Sequence, residues 1–232
     1  MAMACILILI GSVGTVFFAQ KIPQQLFQSW HQECTDYLCA PIMYQALSQR
    51  KRLISALLFL LLGTVVYWRF QDHFFAMISS LIFTCMLLIA SIIDIDYKIL
   101  PDQLTLGLLW IGLITNCFVG FAPLSSAIFG AAFGYVSLLS VYHAYRFVTK
   151  KEGLGYGDFK LLAAVGGWLG TSAIPITLLI ASVLACFTMG IYIILFKADH
   201  QKPFPFGPFL AIAGWFILVG KPWLMHFFPF LI

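Results

Sequence analysis

The chain has very little charge. Only 9% of its 232 residues are Asp, Glu, Lys or Arg, whereas 62% are hydrophobic. A soluble domain usually carries about 25% charged residues, so this composition excludes a globule that coats its own surface with polar groups. A net charge of +4 is also too small to suggest a nucleic-acid partner. We expect the lipid bilayer to be the surrounding medium.

The long apolar runs also lack the polar and apolar alternation of barrel strands. Leu53–Trp68 and Phe74–Ile93 are unbroken instead. Because a bilayer cannot satisfy backbone polar groups, such runs predict helices. The predicted fold class is all-α, a polytopic membrane bundle of seven or eight transmembrane helices. The predicted spans are 3–20, 53–69, 74–93, 104–121, 125–148, 161–170 with its continuation, 174–196 and 208–230.

Clustered metal ligands are scarce as well. Four of the six cysteines lie inside apolar runs, where they act as small hydrophobic residues. Cys34 and Cys39 share a polar loop with four residues between them, which resembles half of a metal knuckle without its second half. The five histidines do not converge on one predicted face or loop. We predict no metal site, with Cys34 and Cys39 as the remaining candidates.

Basic residues are unevenly divided between the predicted loops. If the amino terminus faces outward, the basic loops 21–52, 146–160 and 197–202 all face the cytoplasm, and the opposite side keeps Arg69 and Lys221. This is the asymmetry of the positive-inside rule. It requires the Gly-rich segment 161–172 to cross the membrane or to enter it deeply.

Two of the seven aspartates adjoin predicted spans on this cytoplasmic side. Asp94 directly follows the run Phe74–Ile93, and Asp158 directly precedes the run after the fifth span. A charge in hydrocarbon costs about 2.5–3.5 kcal/mol on insertion scales. Two carboxylates a few ångströms apart cannot both ionise, so they share one proton. One can deprotonate a water while the other polarises a scissile carbonyl, which predicts aspartyl-protease chemistry.

Other interpretations of these residues stay open. A single aspartate at a membrane boundary commonly caps a helix or marks topology. The pair could also bind a cation or a proton in a small ion-coupled transporter, although we find no repeat and both acids lie near an interface. Gly155 and Gly157 allow a close backbone approach beside Asp158. Lys160 either neutralises charge there or marks topology.

The motifs around both aspartates resemble a known family. Asp-Ile-Asp at 94–96 with Leu-Pro-Asp at 100–102, followed by Gly-Tyr-Gly-Asp at 155–158, is similar to the type IV prepilin peptidases of the GxGD class of membrane aspartyl proteases. The closing Pro-Phe-Gly-Pro at 205–208 is similar to their entry into the last span. The resemblance covers Leu53 to the carboxyl terminus. We therefore predict a first span with its loop at 1–52 and a peptidase domain at 53–232.

The resemblance implies a catalytic pair formed by Asp94 and Asp158. It gives supporting or substrate-binding roles to five further residues: Asp96, Asp102, Gly155, Gly157 and Lys160. Such enzymes remove a basic leader from type IV prepilins, or from pseudopilins of type II secretion, just before the hydrophobic amino-terminal helix of the substrate. The expected location is the bacterial inner membrane, with the active site facing the cytoplasm. The peptidase reaction implies no cofactor.

The first loop departs from the family. Many members also methylate the new amino terminus from S-adenosylmethionine, and their longer first loop carries two Cys-x-x-Cys pairs. Here the loop is Lys21–Arg52, with only Cys34 and Cys39. The sequence therefore predicts a peptidase without the methyltransferase activity, and S-adenosylmethionine is implied only if that activity is retained.

Overall fold

The computed structural model of the chain describes residues 2–33, 48–150, 155–196 and 205–227. Within these ranges the chain forms eight α-helices and no strand, which confirms the predicted all-α bundle. The helices are α1 (Ala2–Glu33), α2 (Gln49–Phe70), α3 (Phe74–Tyr97), α4 (Asp102–Phe118), α5 (Leu124–Thr149), α6 (Tyr156–Leu169), α7 (Ala173–Phe196) and α8 (Gly207–Phe227).

The helices differ in whether they can cross a membrane unaided. Five of those described, α1, α2, α3, α5 and α7, are long and apolar enough to do so. Among the residues whose side chains are described, α8 contributes the apolar helix Gly207–Lys221, and α4 has 17 residues. With 14 residues, α6 extends about 21 Å at about 1.5 Å per residue, against a hydrocarbon core of about 30 Å. The predicted span 161–170 therefore lies in a helix that is too short to cross alone.

The short helix α6 lies at the centre of the bundle. Eleven of its 14 residues are buried, from Asp158 onward. It packs against α4, α5 and α8, and its side chains Phe159, Leu162 and Val165 are inaccessible. Neighbouring helices thus give α6 a protein environment along nearly its whole length. Its position follows from packing rather than from its own hydrophobic length.

Backbone contact without intervening side chains holds α6 against α5. A Cβ added at Gly166 would lie 2.2 Å from the carbonyl oxygen of Gly130. A Cβ at Gly134 would lie 2.8 Å from the carbonyl oxygen of Leu162. Small residues are the usual means of close helix packing in membranes, because apolar lipid provides no hydrophobic drive between helices. The glycines therefore set how closely α5 and α6 can approach.

A buried amide on α4 satisfies the carboxyl end of α6. The Nδ2 atom of Asn116 donates to the carbonyl oxygens of Gly167 at 2.9 Å and Trp168 at 3.0 Å. Its Oδ1 atom accepts from the N–H of Ala122 at 3.0 Å. The last carbonyls of a helix have no partners within the helix, and unpaired polar groups are costly in an apolar interior. Asn116 therefore allows α6 to end inside the protein.

Replacing Gly166 with alanine should destabilise the bundle. The new methyl group meets backbone atoms of α5, which cannot rotate away. We expect the free energy of unfolding to fall by about 1–3 kcal/mol, the usual cost of overpacking. Thermal unfolding in detergent measures the change. Gly190→Ala is the matched control, because a Cβ at Gly190 meets nothing within 4 Å. Equal melting temperatures for the two variants would contradict this packing argument.

Candidate active site

Asp94 lies in the last turn of α3. The helix ends just beyond it, where Lys98 adopts a left-handed conformation with φ 56° and donates its N–H to the carbonyl oxygen of Asp94. The side chain of Asp94 is buried, and its Oδ2 accepts a hydrogen bond of 3.0 Å from the N–H of Gly207. Asp94 therefore sits inside the protein at one end of the bundle and contacts the start of α8.

Asp158 lies in the first turn of α6. Gly155 precedes the helix in an extended conformation, and its carbonyl oxygen accepts the N–H of Asp158 at 3.2 Å. A negative charge is favourable at this end of a helix. The side chain is 7% exposed, and its Oδ1 has no hydrogen-bond partner among the described residues. An unpaired carboxylate oxygen in a buried setting raises the free energy of the folded state. Buried polar groups left without a partner often belong to reactive sites.

Leu100, in the short segment between α3 and α4, joins the two aspartates. A Cβ at Gly157 would lie 2.5 Å from Leu100 Cβ, and one at Gly207 would lie 3.1 Å from Leu100 Cδ1. The same side chain thus packs against the residue before Asp158 and against the hydrogen-bond donor of Asp94. The two carboxylates interact electrostatically. The sequence prediction that Asp94 and Asp158 share one face of the bundle matches this geometry.

The neighbouring acids have lysine partners. Asp96 pairs with Lys51 at the start of α2, and Asp102 pairs with Lys160 in the first turn of α6. Lys160 therefore lies against Asp102 rather than neutralising Asp158. Both ion pairs join helix ends around the two buried aspartates. Their geometry is that of supports between helices, which fits the supporting roles suggested for Asp96, Asp102 and Lys160.

The two predicted glycines differ in their surroundings. Gly157 is in close contact with Leu100 of the same chain, so its missing side chain serves internal packing. Gly155 is not crowded, because a Cβ there would meet Asp158 Oδ2 at an ordinary 3.5 Å. The sequence predicts that both glycines allow a close backbone approach beside Asp158. In the structure only Gly155 leaves such space.

An aromatic cluster flanks Asp158, and sequence reasoning missed it. Tyr142 on α5 is buried, with its ring against Tyr156 and Phe159 of α6. The hydroxyl of Tyr142 also accepts from Arg146 at 3.4 Å. The signal available in the sequence was the helical spacing of Tyr135, Tyr142 and Arg146. Their meeting with α6 depends on tertiary packing.

The hydrogen bond from Gly207 was likewise missed. The sequence comparison had singled out Pro-Phe-Gly-Pro at 205–208 only as an entry into the last helix. A glycine between two prolines at a helix start was the available signal, because its backbone N–H has no partner within the helix. That signal does not identify Asp94 as the acceptor.

The described residues contain no group of three or more His, Cys, Asp or Glu side chains that could hold a metal ion. Cys34 and Cys39, the remaining metal candidates, lie outside the described residues. The described cysteines, Cys5, Cys85, Cys117 and Cys186, are free thiols on separate helices. The chemical groups around the site are therefore carboxylates, lysines and backbone amides.

Known proteins are similar to the part of the chain that carries this site. A model of the type IV leader peptidase family matches residues 81–194, a segment that contains both aspartates. A prepilin leader peptidase/N-methyltransferase of Aeromonas hydrophila is 53% identical over 143 residues, which cover 61% of this chain and 49% of the relative. One from Pseudomonas aeruginosa is 47% identical over 174 residues, which cover 75% of this chain and 59% of the relative.

A relative with the same name from Stutzerimonas stutzeri is 45% identical over 174 residues, covering 75% of this chain and 60% of the relative. The chain thus spans about half of the length of the first of these relatives and 60% of the length of the last. No solved structure matches the chain.

The fold and the site together define a polytopic helical membrane protein with a buried pair of carboxylates at one end. Over residues 81–194 the chain resembles the type IV leader peptidase family, and the relatives that it matches are named prepilin leader peptidase/N-methyltransferase. These relatives favour the peptidase interpretation over the ion-coupled transporter.

The ion pair between Asp102 and Lys160 should contribute little to stability. Asp102 is more than half exposed, and exposed pairs usually contribute about 0.2–1 kcal/mol. We expect Asp102→Asn and Lys160→Gln each to lower the free energy of unfolding by about 1 kcal/mol at most. A double-mutant cycle by thermal unfolding measures their coupling. A coupling above about 2 kcal/mol would contradict the small contribution expected of this exposed pair.

Proposed function

We propose that the chain is an aspartyl endopeptidase that removes the leader peptide from type IV prepilins or from pseudopilins of type II secretion. The observation that carries the proposal is the buried pair Asp94 and Asp158, delivered by two different helices to one place. The family match at residues 81–194 and relatives named prepilin leader peptidase/N-methyltransferase support the substrate class.

The chemistry follows from the pair sharing one proton. Two negative charges side by side in a buried site are unfavourable, so one carboxyl group stays protonated. The ionised aspartate takes a proton from a water molecule, and that water attacks the scissile carbonyl carbon. The protonated aspartate gives its proton to the carbonyl oxygen. When the resulting tetrahedral species collapses, the amine leaves with a proton and the pair returns to its starting state.

The proposed location is the bacterial inner membrane, with the pair at the cytoplasmic boundary. Lys51 and Lys160 lie at the same end of the bundle as the aspartates. Arg69 and Lys221 lie at the other end, where they bond to the carbonyl oxygens of Val219 and Phe121. This distribution supports a cytoplasmic site under the positive-inside rule. A basic leader that reaches this end would lie near Asp96 and Asp102. It would pair with these carboxylates by displacing Lys51 and Lys160 from them.

The peptidase domain is proposed to be residues 53–232, with residues 1–52 as a separate first span and loop. The family match at 81–194 falls within the proposed domain. We propose the peptidase activity alone. The relatives' names include N-methyltransferase, but the predicted loop 21–52, of which 21–33 belong to α1 and 49–52 to α2, has neither Cys-x-x-Cys pair. The peptidase reaction needs no cofactor, and S-adenosylmethionine would be required only for methylation.

Replacing either aspartate should abolish processing. Asp94→Asn and Asp158→Asn each remove a group that must carry or accept the shared proton, and we expect cleavage rates to fall at least about 100-fold. Membranes containing each variant are incubated with a prepilin, and loss of the leader is followed by gel shift. Asp72→Asn, in the exposed turn between α2 and α3, is the control and keeps full activity. Unchanged processing in both active-site variants would overturn the assignment.

Alanine at the two glycines of the site should have different effects. Gly157→Ala drives a methyl group to 2.5 Å from Leu100 Cβ, which is fixed to the backbone, so the first turn of α6, which carries Asp158, must shift. Since displacements near 1 Å can cost about 100-fold in rate, we expect a loss of that order. Gly155→Ala makes only ordinary contact and should retain most activity. Initial rates of prepilin cleavage measure both.

The opposite order of effects would be informative. If Gly155→Ala were the more damaging change, the glycine would be needed by the substrate rather than by the fold. Equal rates for Gly157→Ala and the unmodified chain would contradict the proposed part of Leu100 in joining the two aspartates.

A further inference from the structure

The first residue of α8 is in direct contact with the catalytic candidate on α3. The N–H of Gly207 donates to Asp94 Oδ2 at 3.0 Å, across 113 positions of sequence. A Cβ at Gly207 would lie 2.7 Å from the same oxygen. The hydrogen bond therefore requires both a free N–H and the absence of a side chain at this position.

Other contacts hold α8 about two turns beyond Gly207. The indole Nε1 of Trp215 donates to Thr84 Oγ1 of α3 at 3.1 Å. A Cβ at Gly214 would lie 2.9 Å from Val165 of α6, so α8 also packs closely on α6. These contacts hold α8 against the helices of both aspartates, while Gly207 is the residue of α8 that bonds to Asp94.

The two aspartates are held by different parts of the chain. Asp94 Oδ2 accepts the N–H of Gly207, which begins α8, whereas the backbone group that bonds to the carboxyl group of Asp158 belongs to Gly155, three residues before it. Each carboxyl group thus has a backbone donor at a helix start, where a negatively charged acceptor is favoured. The donor of Asp94 is the one supplied by a helix distant in sequence.

We propose that Gly207 is the positioning residue of the carboxylate pair. Its N–H fixes Asp94 Oδ2, so that the carboxyl group of Asp94 keeps one orientation beside Asp158. Gly207 acts through Asp94 and does not itself touch the reacting atoms. This inference rests on the proposed peptidase function and adds to it the residue that orients one of the two carboxyl groups.

The variant Gly207→Ala distinguishes a role of Gly207 in positioning Asp94 from a role in folding. The added methyl group would meet Asp94 Oδ2 and, at 3.1 Å, Leu100 Cδ1. Both atoms are at the ends of side chains that can rotate, so the backbone need not move. The fold is therefore retained while the carboxylate of Asp94 is displaced by several tenths of an ångström.

The test compares Gly207→Ala with two control variants, using the full chain in detergent and a type IV prepilin with its leader. We expect kcat to fall about 10–100-fold, with KM within about twofold and a melting temperature close to that of the unmodified chain. Gly214→Ala, on the same helix, should lower the melting temperature and keep kcat, since its contact is with Val165. Gly190→Ala, in open surroundings on α7, should change neither.

The outcomes separate the two claims. If the unmodified chain does not cleave the prepilin, the proposed function fails. If it cleaves and Gly207→Ala keeps its kcat, the positioning role fails while the function stands. A fall in kcat matched by Gly214→Ala would indicate a merely structural role and would also overturn the inference.

A second variant covers the case in which Gly207→Ala does not accumulate. An ester in place of the amide at residue 207 removes the N–H and adds no atoms. The same fall in kcat is expected, and an unchanged kcat overturns the proposal.

Discussion

The site depends on the burial of α6. This helix carries Asp158 in its first turn, yet its 14 residues are too few to span hydrocarbon. It is stable in the membrane because α4, α5 and α8 surround it, with the backbones of Gly130 and Gly166 in contact and Asn116 satisfying its last carbonyls. The helices around α6 thus fix its position in the bundle, and with it the position of the Asp158 carboxylate.

The second carboxylate is positioned by a different set of helices. Asp94 ends α3, and α8 reaches it through the N–H of Gly207. Leu100 packs between these two assemblies and so couples the spacing of the aspartates to the packing of the bundle. Asp96 and Asp102, at helix ends near the two buried aspartates, form ion pairs with Lys51 and Lys160. Side chains that lie far apart in sequence therefore form one site without a metal ligand set among the described residues.

Local patterns predicted much of this molecule, and the reason is physical. Unbroken apolar runs predict helices because a bilayer cannot bond to the backbone, and alternating topology brings Asp94 and Asp158 to one end. An apolar run looks the same whether lipid or protein covers it, so the burial of α6 could not be predicted. Asn116 and Gly207 bond to distant segments through one or two hydrogen bonds each, and no periodic sequence pattern predicts such contacts. For the same reason the pairing of Lys160 with Asp102 was not foreseen.

In the proposed reaction, water activated by the two aspartates cleaves the substrate directly. Mass spectrometry of a single turnover of the purified chain with a prepilin, in water enriched in heavy oxygen, tests this step. We expect the released leader to gain one heavy oxygen at its new carboxylate, while the mass of the enzyme is unchanged at every quench time. A covalent acyl–enzyme species, or cleavage that persists when both Asp94 and Asp158 are asparagine, would contradict it.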